Sequence, residues 1–263
     1  MKAEPASTML VIGHPGHEIR CHGWMSRHRP TVVVLTSGGG ASKAGRIAST
    51  RRIVERAGAT ASALFGDFSD HEIYGFMLKQ EAGPLSAWTM DLSELIHKQR
   101  PALILTDMVE GYNPGHDLTA YLVAAAVEKS QGGPACSPQI LCQPLEGPPD
   151  QAWNGRLRAH ASLRLTDTEF FRKMADAADY AELAAEVAGA LRHTPSDEFK
   201  TECLYLPAPD DDLLETLPDE TPFYERFGEQ QVADGKFTEV IRHQRHLLPL
   251  IREIRRNLTL TER

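Results

Sequence analysis

The stretch Met9–Glu18 reads MLVIGHPGHE, four apolar residues followed by a polar turn that carries two histidines. A short continuous apolar run of this kind is typical of a strand that is buried on both faces of a parallel sheet. The glycines and the proline end the strand and favour a tight change of direction. The stretch therefore predicts a buried strand with His14 and His17 just beyond its carboxyl end.

Apolar runs and amphipathic stretches alternate outward from this strand through the first half of the chain. Runs of β-branched residues are typical of buried strands, and apolar residues three or four apart are typical of covering helices. The pattern predicts strands at Thr31–Thr36 and Ala102–Thr106, helices at Arg46–Ala59, Leu85–Arg100 and Leu118–Lys129, and a loop at Asp107–His116. This order predicts an α/β fold, in which helices sandwich a mainly parallel, Rossmann-like sheet.

The pattern becomes less regular after Ser130. We predict a main domain of residues 1–195 and a mostly helical C-terminal extension of residues 196–263 that packs on the core. The sequence predicts a strand at Gln139–Gln143, a long helix at Asp167–Leu191 with Asp167 or Thr168 as its N-cap, an acidic, proline-rich linker at Pro207–Pro222 and an amphipathic helix at Phe237–Leu258. We expect the last helix to dock on the core with its arginines in solvent, the alternative being a partner-binding or membrane-surface helix.

Length and composition limit the class of protein. The chain has 263 residues, of which 41% are hydrophobic, enough for a self-supporting core. The net charge of −8 disfavours nucleic acid as a partner, because a negative surface repels phosphates. No apolar run approaches the roughly 18 residues that cross a bilayer, and the first seven residues are too short and polar for a secretory signal. The four cysteines are scattered, which favours reduced thiols and a cytoplasmic location.

A second histidine-bearing turn follows the predicted strand at Ala102–Thr106 and reads NPGHD at Asn113–Asp117. The carboxyl ends of parallel strands lie at one edge of a sheet, so the two turns can converge. Three neutral imidazoles, from His14, His17 and His116, are a donor set that holds Zn²⁺ and leaves one position open. The sequence therefore predicts a zinc or other divalent-metal site, whereas a single histidine in a turn is more often a surface or capping residue.

These motifs resemble those of the PIG-L/LmbE-like deacetylase family. Family members open with Ala-His-Pro-Asp-Asp-Glu after a strand and carry His-Pro-Asp-His later, where this chain has Gly13–Glu18 and Asn113–His116. Further similarity lies at Thr36–Gly40, Arg51–Gly58 and Gly66–Gly75, and the resemblance covers about residues 9–190. It implies an LmbE-like fold and a divalent metal, usually zinc, with water activated at the metal as the nucleophile.

The resemblance also implies roles for individual residues. The family's metal ligands fall on His14, His17 and His116, with His17 in place of an aspartate. Gly16 stands where the family has its general-base aspartate. Asn113 replaces a histidine that stabilises the oxyanion or assists the leaving group, and Gly115 replaces a supporting aspartate.

Three carboxylates near the motifs are candidates for the missing base. We favour Glu110, which lies in the loop before His116, over Asp117 and Glu18. Asp117 has the alternative role of a helix N-cap, and Glu18 that of complementing a helix N-terminus.

Five residues are candidates for holding the substrate. Arg46 and Arg51 lie near the glycine loop that contains Gly38 and can grip a hydroxyl or phosphate group, although such arginines more often form surface ion pairs. Asn113 belongs to the second motif, and Asp70 can enter the pocket from its own loop.

The sequence thus predicts a metal-dependent amide hydrolase, an N-deacetylase that acts on an amino sugar or a glycoconjugate precursor. The alternative is a non-catalytic family member that binds metal or sugar, because Gly16 and Asn113 replace catalytic positions. The expected partners are a small-molecule or glycoconjugate substrate and a second copy of the chain in a homo-oligomer.

Overall fold

A parallel sheet of five strands forms the centre of the computed structural model, which describes residues 7–39, 46–130, 137–152, 155–207 and 221–260. The strands are β1 (Thr8–Ile12), β2 (Thr31–Thr36), β3 (Thr60–Phe68), β4 (Leu103–Asp107) and β5 (Gln139–Gln143). Their order across the sheet is β3-β2-β1-β4-β5. The predicted α/β fold with a parallel sheet is therefore confirmed.

Helices cover both faces of the sheet. They are α1 (His22–His28), α2 (Ile47–Arg56), α3 (Asp70–Lys79), α4 (Ala82–Gln99), α5 (Pro114–Ser130), α6 (Asp167–Asp179), α7 (Ala184–His193), α8 (Phe223–Ala233) and α9 (Leu248–Leu260). Successive residues of a strand point to opposite faces, so each strand contributes to two apolar cores. Met9 and Val11 belong to the core under α4, α5 and α9, whereas Leu10 and Ile12 belong to the core that includes Trp24 of α1.

Strand β1 lies in the middle of the sheet and sets the position of the first histidine turn. Leu10 is in register with Val32 of β2 on one side and with Leu105 of β4 on the other. The strand order reverses between β1 and β4, and such a switch point leaves a crevice at the carboxyl ends of the strands. Both histidine turns leave the sheet at this crevice.

A small antiparallel sheet of two strands, β6 (Ala161–Arg164) and β7 (Thr201–Leu204), adjoins the edge of the main sheet. Cys142 of β5 and Tyr205 exchange backbone hydrogen bonds of 2.8 Å, which joins the small sheet to the main sheet. The small sheet pairs residues from both sides of the boundary expected at residue 195, which stays a prediction.

Two predicted elements begin or end elsewhere. The loop expected at Asp107–His116 ends early, because α5 begins at Pro114, a residue that suits the first position of a helix. The long helix expected at Asp167–Leu191 breaks at Tyr180, whose side chain is buried and bonded to Thr50 Oγ1 at 2.6 Å. Its N-cap is Thr166, which forms a capping box with Glu169, and not Asp167 or Thr168.

The helix predicted at Phe237–Leu258 is shorter in the structure. Arg242 has extended backbone, a π-helical turn follows at His243–Leu247, and regular helix begins at Leu248. The Arg242 N–H donates to His246 Nδ1 at 2.8 Å, and this local bond competes with helix formation before it. The apolar side of α9 is buried against the core as expected.

Strands β3, β6 and β7 and helices α1, α3 and α8 are absent from the sequence prediction. Of the cysteines, Cys21, Cys142 and Cys203 are buried free thiols. Cys136, Gly40 and residues 208–220 of the predicted linker lie outside the described residues. Among the described helices, none combines the length and the hydropathy that a membrane span needs.

A buried ion pair connects α6 to β7. Lys173 Nζ lies 2.9 Å from Glu202 Oε1, and the two side chains are 3% and 1% exposed. Glu202 also accepts the N–H groups of Gly23 and Trp24 at the start of α1, both at 2.8 Å. The carboxylate is thus fully partnered, and removing its cation leaves an uncompensated buried charge.

We expect Lys173→Met to lower the free energy of unfolding by about 3–5 kcal/mol, because Glu202 stays buried without its cation. The double variant Lys173→Met/Glu202→Gln should lose less unfolding free energy than the sum of the losses of the two single variants. Urea unfolding measures both effects. Lys236→Met, which breaks an exposed pair with Asp234, is the control and should cost less than about 1 kcal/mol. Equal losses for Lys173→Met and Lys236→Met would contradict the assignment.

Candidate metal site

Three histidines from the two turns meet at the crevice between β1 and β4. His14 and His17 lie in the turn after β1, and His116 lies in the first turn of α5. The ring centroids of His14 and His17 are 5.3 Å apart, and those of His14 and His116 are 4.9 Å apart. The His17 and His116 rings are 4.5 Å apart. One nitrogen from each ring lies within 4.8 Å of the others.

Close backbone approach brings the two turns together. The Gly13 N–H donates to Asp107 Oδ2 at 2.7 Å, and a Cβ atom at Gly13 would lie 2.7 Å from Thr119 Oγ1. At the second turn, Asn113 Oδ1 accepts the Gly115 N–H at 2.8 Å and caps the start of α5. A Cβ atom at residue 115 would lie 3.1 Å from His14 Cε1, so glycine there lets His14 pack against the helix.

Carboxylates orient two of the three rings. His17 Nδ1 lies 2.8 Å from Asp107 Oδ2, and the Asp107 side chain is fully buried. With Nδ1 directed at the carboxylate, Nε2 is the nitrogen of His17 that is left to bind a metal. His14 Nε2 lies 3.1 Å from Asp70 Oδ1 in the same way. These pairs are the arrangement that supports metal-ligating histidines.

The site fits a divalent cation. His14 Nδ1 and His116 Nδ1 are buried and have no hydrogen-bond partner within the described part of the chain. Burial and the neighbouring His17 and His14 rings hold the pKa of His116 well below its ordinary value, so that its ring is neutral. Imidazole binds metal through an unprotonated nitrogen, and a site of three histidines suits zinc.

A cleft of about 1050 Å³ opens onto the histidines. Four of the five residues predicted to hold substrate line this cleft: Gly38, Arg46, Asp70 and Asn113. Arg46 is paired with Glu186 at 2.6 Å, and Glu186 lines the cleft as well. Arg51 is not among the lining residues; it is exposed, and its guanidinium lies 4.6 Å from the centre of the Phe65 ring.

The three carboxylates predicted as bases do not line the cleft. Glu18 is buried and accepts the Gly16 N–H at 2.7 Å, and burial raises its pKa to about 7. Asp117 accepts the Glu110 N–H at 2.9 Å, and burial raises its pKa to about 7. Glu110 accepts the Leu145 N–H at 2.8 Å, and burial raises its pKa to about 8. Each of the three carboxylates thus accepts a backbone N–H and stabilises a backbone segment near the histidines.

Sequence reasoning missed Asp107, Tyr74 and Leu183. Asp107 ends β4, and a polar residue at the carboxyl end of a central strand is a signal that could have found it. Tyr74 lines the cleft, and its hydroxyl lies 3.4 Å from Asn113 Nδ2. Leu183 fills the space beside Gly16, a long-range contact with no local signal.

No protein-family model matches the sequence, and no curated protein sequence matches it. Solved structures are similar in fold. The conserved protein TT1542 from Thermus thermophilus is 15% identical, with 78% of this chain and 95% of that chain covered, at a TM-score of 0.54.

Two further structures are similar at a TM-score of 0.48. GalB, the 4-carboxy-2-hydroxymuconate hydratase from Pseudomonas putida KT2440, is 16% identical, with 77% of this chain and 97% of that chain covered. The A40926 pseudoaglycone deacetylase Dbv21 is 14% identical, with 88% of this chain and 93% of that chain covered.

At 15% identity, the similarity to TT1542 is one of fold. The five-stranded parallel sheet and its flanking helices agree with that fold. The chain therefore has the fold of TT1542 over most of its length, and the predicted fold class is confirmed at this level.

Proposed function

We propose that this chain is a zinc-dependent hydrolase that removes the N-acetyl group of an amino sugar or glycoconjugate precursor. The observation that carries the proposal is the cluster of three histidines, with His17 oriented by the buried Asp107 at 2.8 Å. A divalent cation held by such a cluster polarises a carbonyl oxygen and acidifies water. The motif resemblance to deacetylases supports an N-acetyl group as the target.

We assign the missing proton acceptor to Asp70. Its carboxylate lines the cleft, is 17% exposed and lies beside His14, 3.1 Å away. Asp70 is the first residue of α3, where a capping box between Ser69 and Glu72 fixes the backbone. Three other acids line the cleft, Glu146, Glu182 and Glu186. Within the described residues none of them is hydrogen-bonded or ion-paired to the three histidines: Glu182 accepts the Ser49 hydroxyl at 3.0 Å and Glu186 pairs with Arg46 at 2.6 Å. Asp70 therefore supplies the carboxylate that position 16 lacks.

Tyr74 and Asn113 are suited to holding the oxygen of the scissile carbonyl. The Asn113 side chain is fixed as the cap of α5, and its Nδ2 points to the Tyr74 hydroxyl. Burial raises the pKa of Tyr74, so its hydroxyl keeps its proton and can donate to substrate. Donors fixed in advance are effective at stabilising charge that develops on an oxygen.

One observation favours the second candidate, a non-catalytic protein that binds metal or sugar. Gly16 has a φ of +107°, and a Cβ atom there would lie 2.3 Å from Leu183 Cδ1. The position of the family's base is therefore closed by both backbone conformation and packing. A chain that lost its base without replacing it would bind metal and release no acetate.

We expect Asp107→Asn to weaken zinc binding by about 10–100-fold, because His17 loses the carboxylate that fixes its tautomer. His116→Ala should abolish stoichiometric binding. Competition with a chromogenic chelator, on protein purified without a histidine tag, measures both. Asp176→Asn is the matched control, since Asp176 bonds to the buried His22 at 2.8 Å, away from the three histidines. An equal loss in the control would contradict the role of Asp107.

We expect Asp70→Asn to lower turnover by about 10²–10⁴-fold, the usual worth of a positioned base. Acetate release from a panel of N-acetylated sugars measures turnover, and zinc content at saturating zinc shows that the site is intact. The turnover of Glu110→Gln should stay within about threefold of that of the unchanged protein, so comparing the two variants tells the two candidate bases apart. A wild-type chain that binds zinc and releases no acetate from any sugar would favour the non-catalytic alternative.

We expect Gly16→Asp to lower the free energy of unfolding by about 2–4 kcal/mol and to give no gain in turnover. Gly235→Asp is the matched control, because Gly235 also has a positive φ, +71°, but has no atoms within 4 Å of a Cβ position. Urea unfolding should show a smaller loss for the control. Adding Leu183→Ala to Gly16→Asp should recover part of the difference, and equal losses at both glycines would contradict the packing argument.

A further inference from the structure

Four exposed aromatic side chains stand in contact beside the cleft. They are Tyr112, Phe223, Phe227 and Phe237, which are 40%, 41%, 46% and 48% exposed. The Tyr112 and Phe223 rings are parallel within 4°, with centroids 4.8 Å apart. The next centroids along the row are 5.9 Å and 6.3 Å apart. We refer to these four rings as the aromatic column.

The aromatic column begins at the candidate metal site. Tyr112 lines the cleft and precedes Asn113, the cap of the helix that carries His116. Phe223 covers one face of the Tyr112 ring and so holds the plane of that ring. The column therefore runs continuously from the cleft to the surface of the C-terminal extension.

Buried polar contacts hold the column in place. The Tyr224 N–H donates to Gly111 O at 3.4 Å, which ties α8 to the loop that carries Tyr112. The Tyr224 hydroxyl lies 3.1 Å from His243 Nδ1, and the His243 N–H donates to Glu225 at 2.8 Å. Glu225 is itself buried. The rings are thus presented by a fixed scaffold, and binding to them needs no prior folding of α8.

Close packing between α8 and the segment that follows it positions the Phe237 ring at the outer end of the column. Phe223 and Phe227 are four residues apart in α8 and so share one face of the helix. A Cβ atom at Gly228 would lie 2.9 Å from Val240 Cγ1, so glycine there lets the Phe237–Arg242 segment approach α8 closely. The extension is built to align the three phenylalanines.

A row of exposed, touching aromatic rings points to an apolar ligand. Single exposed apolar residues are normal on a protein surface, whereas contiguous apolar patches mark binding sites. A free, unsubstituted sugar bound at the histidines would leave the outer three rings in water. A sugar whose apolar substituent extends out of the cleft past Tyr112 would cover them.

We propose that the aromatic column binds an apolar aglycone, an alkyl or aryl group attached to the sugar whose N-acetyl group lies at the histidines. This assignment rests on the proposed function, because it orients the substrate with its acyl end at the metal site. It gives the C-terminal extension the task of selecting substrates that carry such a group.

Calorimetric titration with hexyl and methyl β-glucosides tests the proposal. Neither probe has an N-acyl group, so neither is hydrolysed, and the column can fail while the hydrolase assignment stands. We expect the unchanged protein to bind the hexyl probe at least tenfold more tightly than the methyl probe, a difference of about 1.4 kcal/mol. Equal affinities would overturn the proposal.

The variant Phe223→Ser/Phe227→Ser should lose most of this tenfold preference. Phe171→Ser is the matched control, because Phe171 is a phenylalanine of α6 that is 74% exposed and lies outside the column, and it should keep the preference. If the double variant does not fold, Phe237→Ser at the outer end should give a smaller loss in the same direction. A preference that survives in both variants would overturn the proposal.

Sedimentation of the unchanged protein and the double variant tests whether a second copy of the chain, and not an aglycone, covers the aromatic column. We expect both to sediment as the same species. If the substitutions convert a dimer to a monomer and leave the hexyl preference unchanged, the column is an interface between two copies of this chain, and the proposal is wrong.

Discussion

The site depends on the buried carboxylate of Asp107, which ends β4 and is inaccessible to solvent. It accepts the Gly13 N–H at 2.7 Å and pairs with His17 Nδ1 at 2.8 Å, and Gln143 Nε2 lies 3.4 Å from its other oxygen. A buried carboxylate without partners is costly, so these contacts hold the ends of three neighbouring strands in one arrangement. The distance between the two histidine turns follows from that arrangement.

The departures from the family motifs are matched by their surroundings. Gly16 leaves room for Leu183, Gly115 leaves room for His14, and Asn113 caps α5 with the oxygen that a histidine lacks. Each departure is part of the local packing, so restoring a single motif residue disturbs its neighbours. Because of this coupling, a larger residue at position 16 or 115 needs compensating changes in the side chains around it.

The sequence is informative where structure is local. Strands at Thr31–Thr36 and Gln139–Gln143 have the bounds that their apolar runs predict, and the convergence of the histidine turns follows from parallel strand order. The sequence is uninformative where the structure depends on contacts between residues that are far apart in the chain. The helix breaks at Tyr180, whose hydroxyl is hydrogen-bonded to Thr50, 130 residues away, and Asp107 pairs with a histidine 90 residues earlier.

The same break has a consequence for how the protein can diversify. Helix α7 follows the turn after Tyr180, lines one wall of the cleft and contains no buried residue. Apart from Val187, which packs against the core, its side chains are therefore under few of the packing constraints that act on the sheet and the histidine turns. Exchanges of the other residues of α7 can widen or narrow the cleft while the sheet and the histidine turns stay folded.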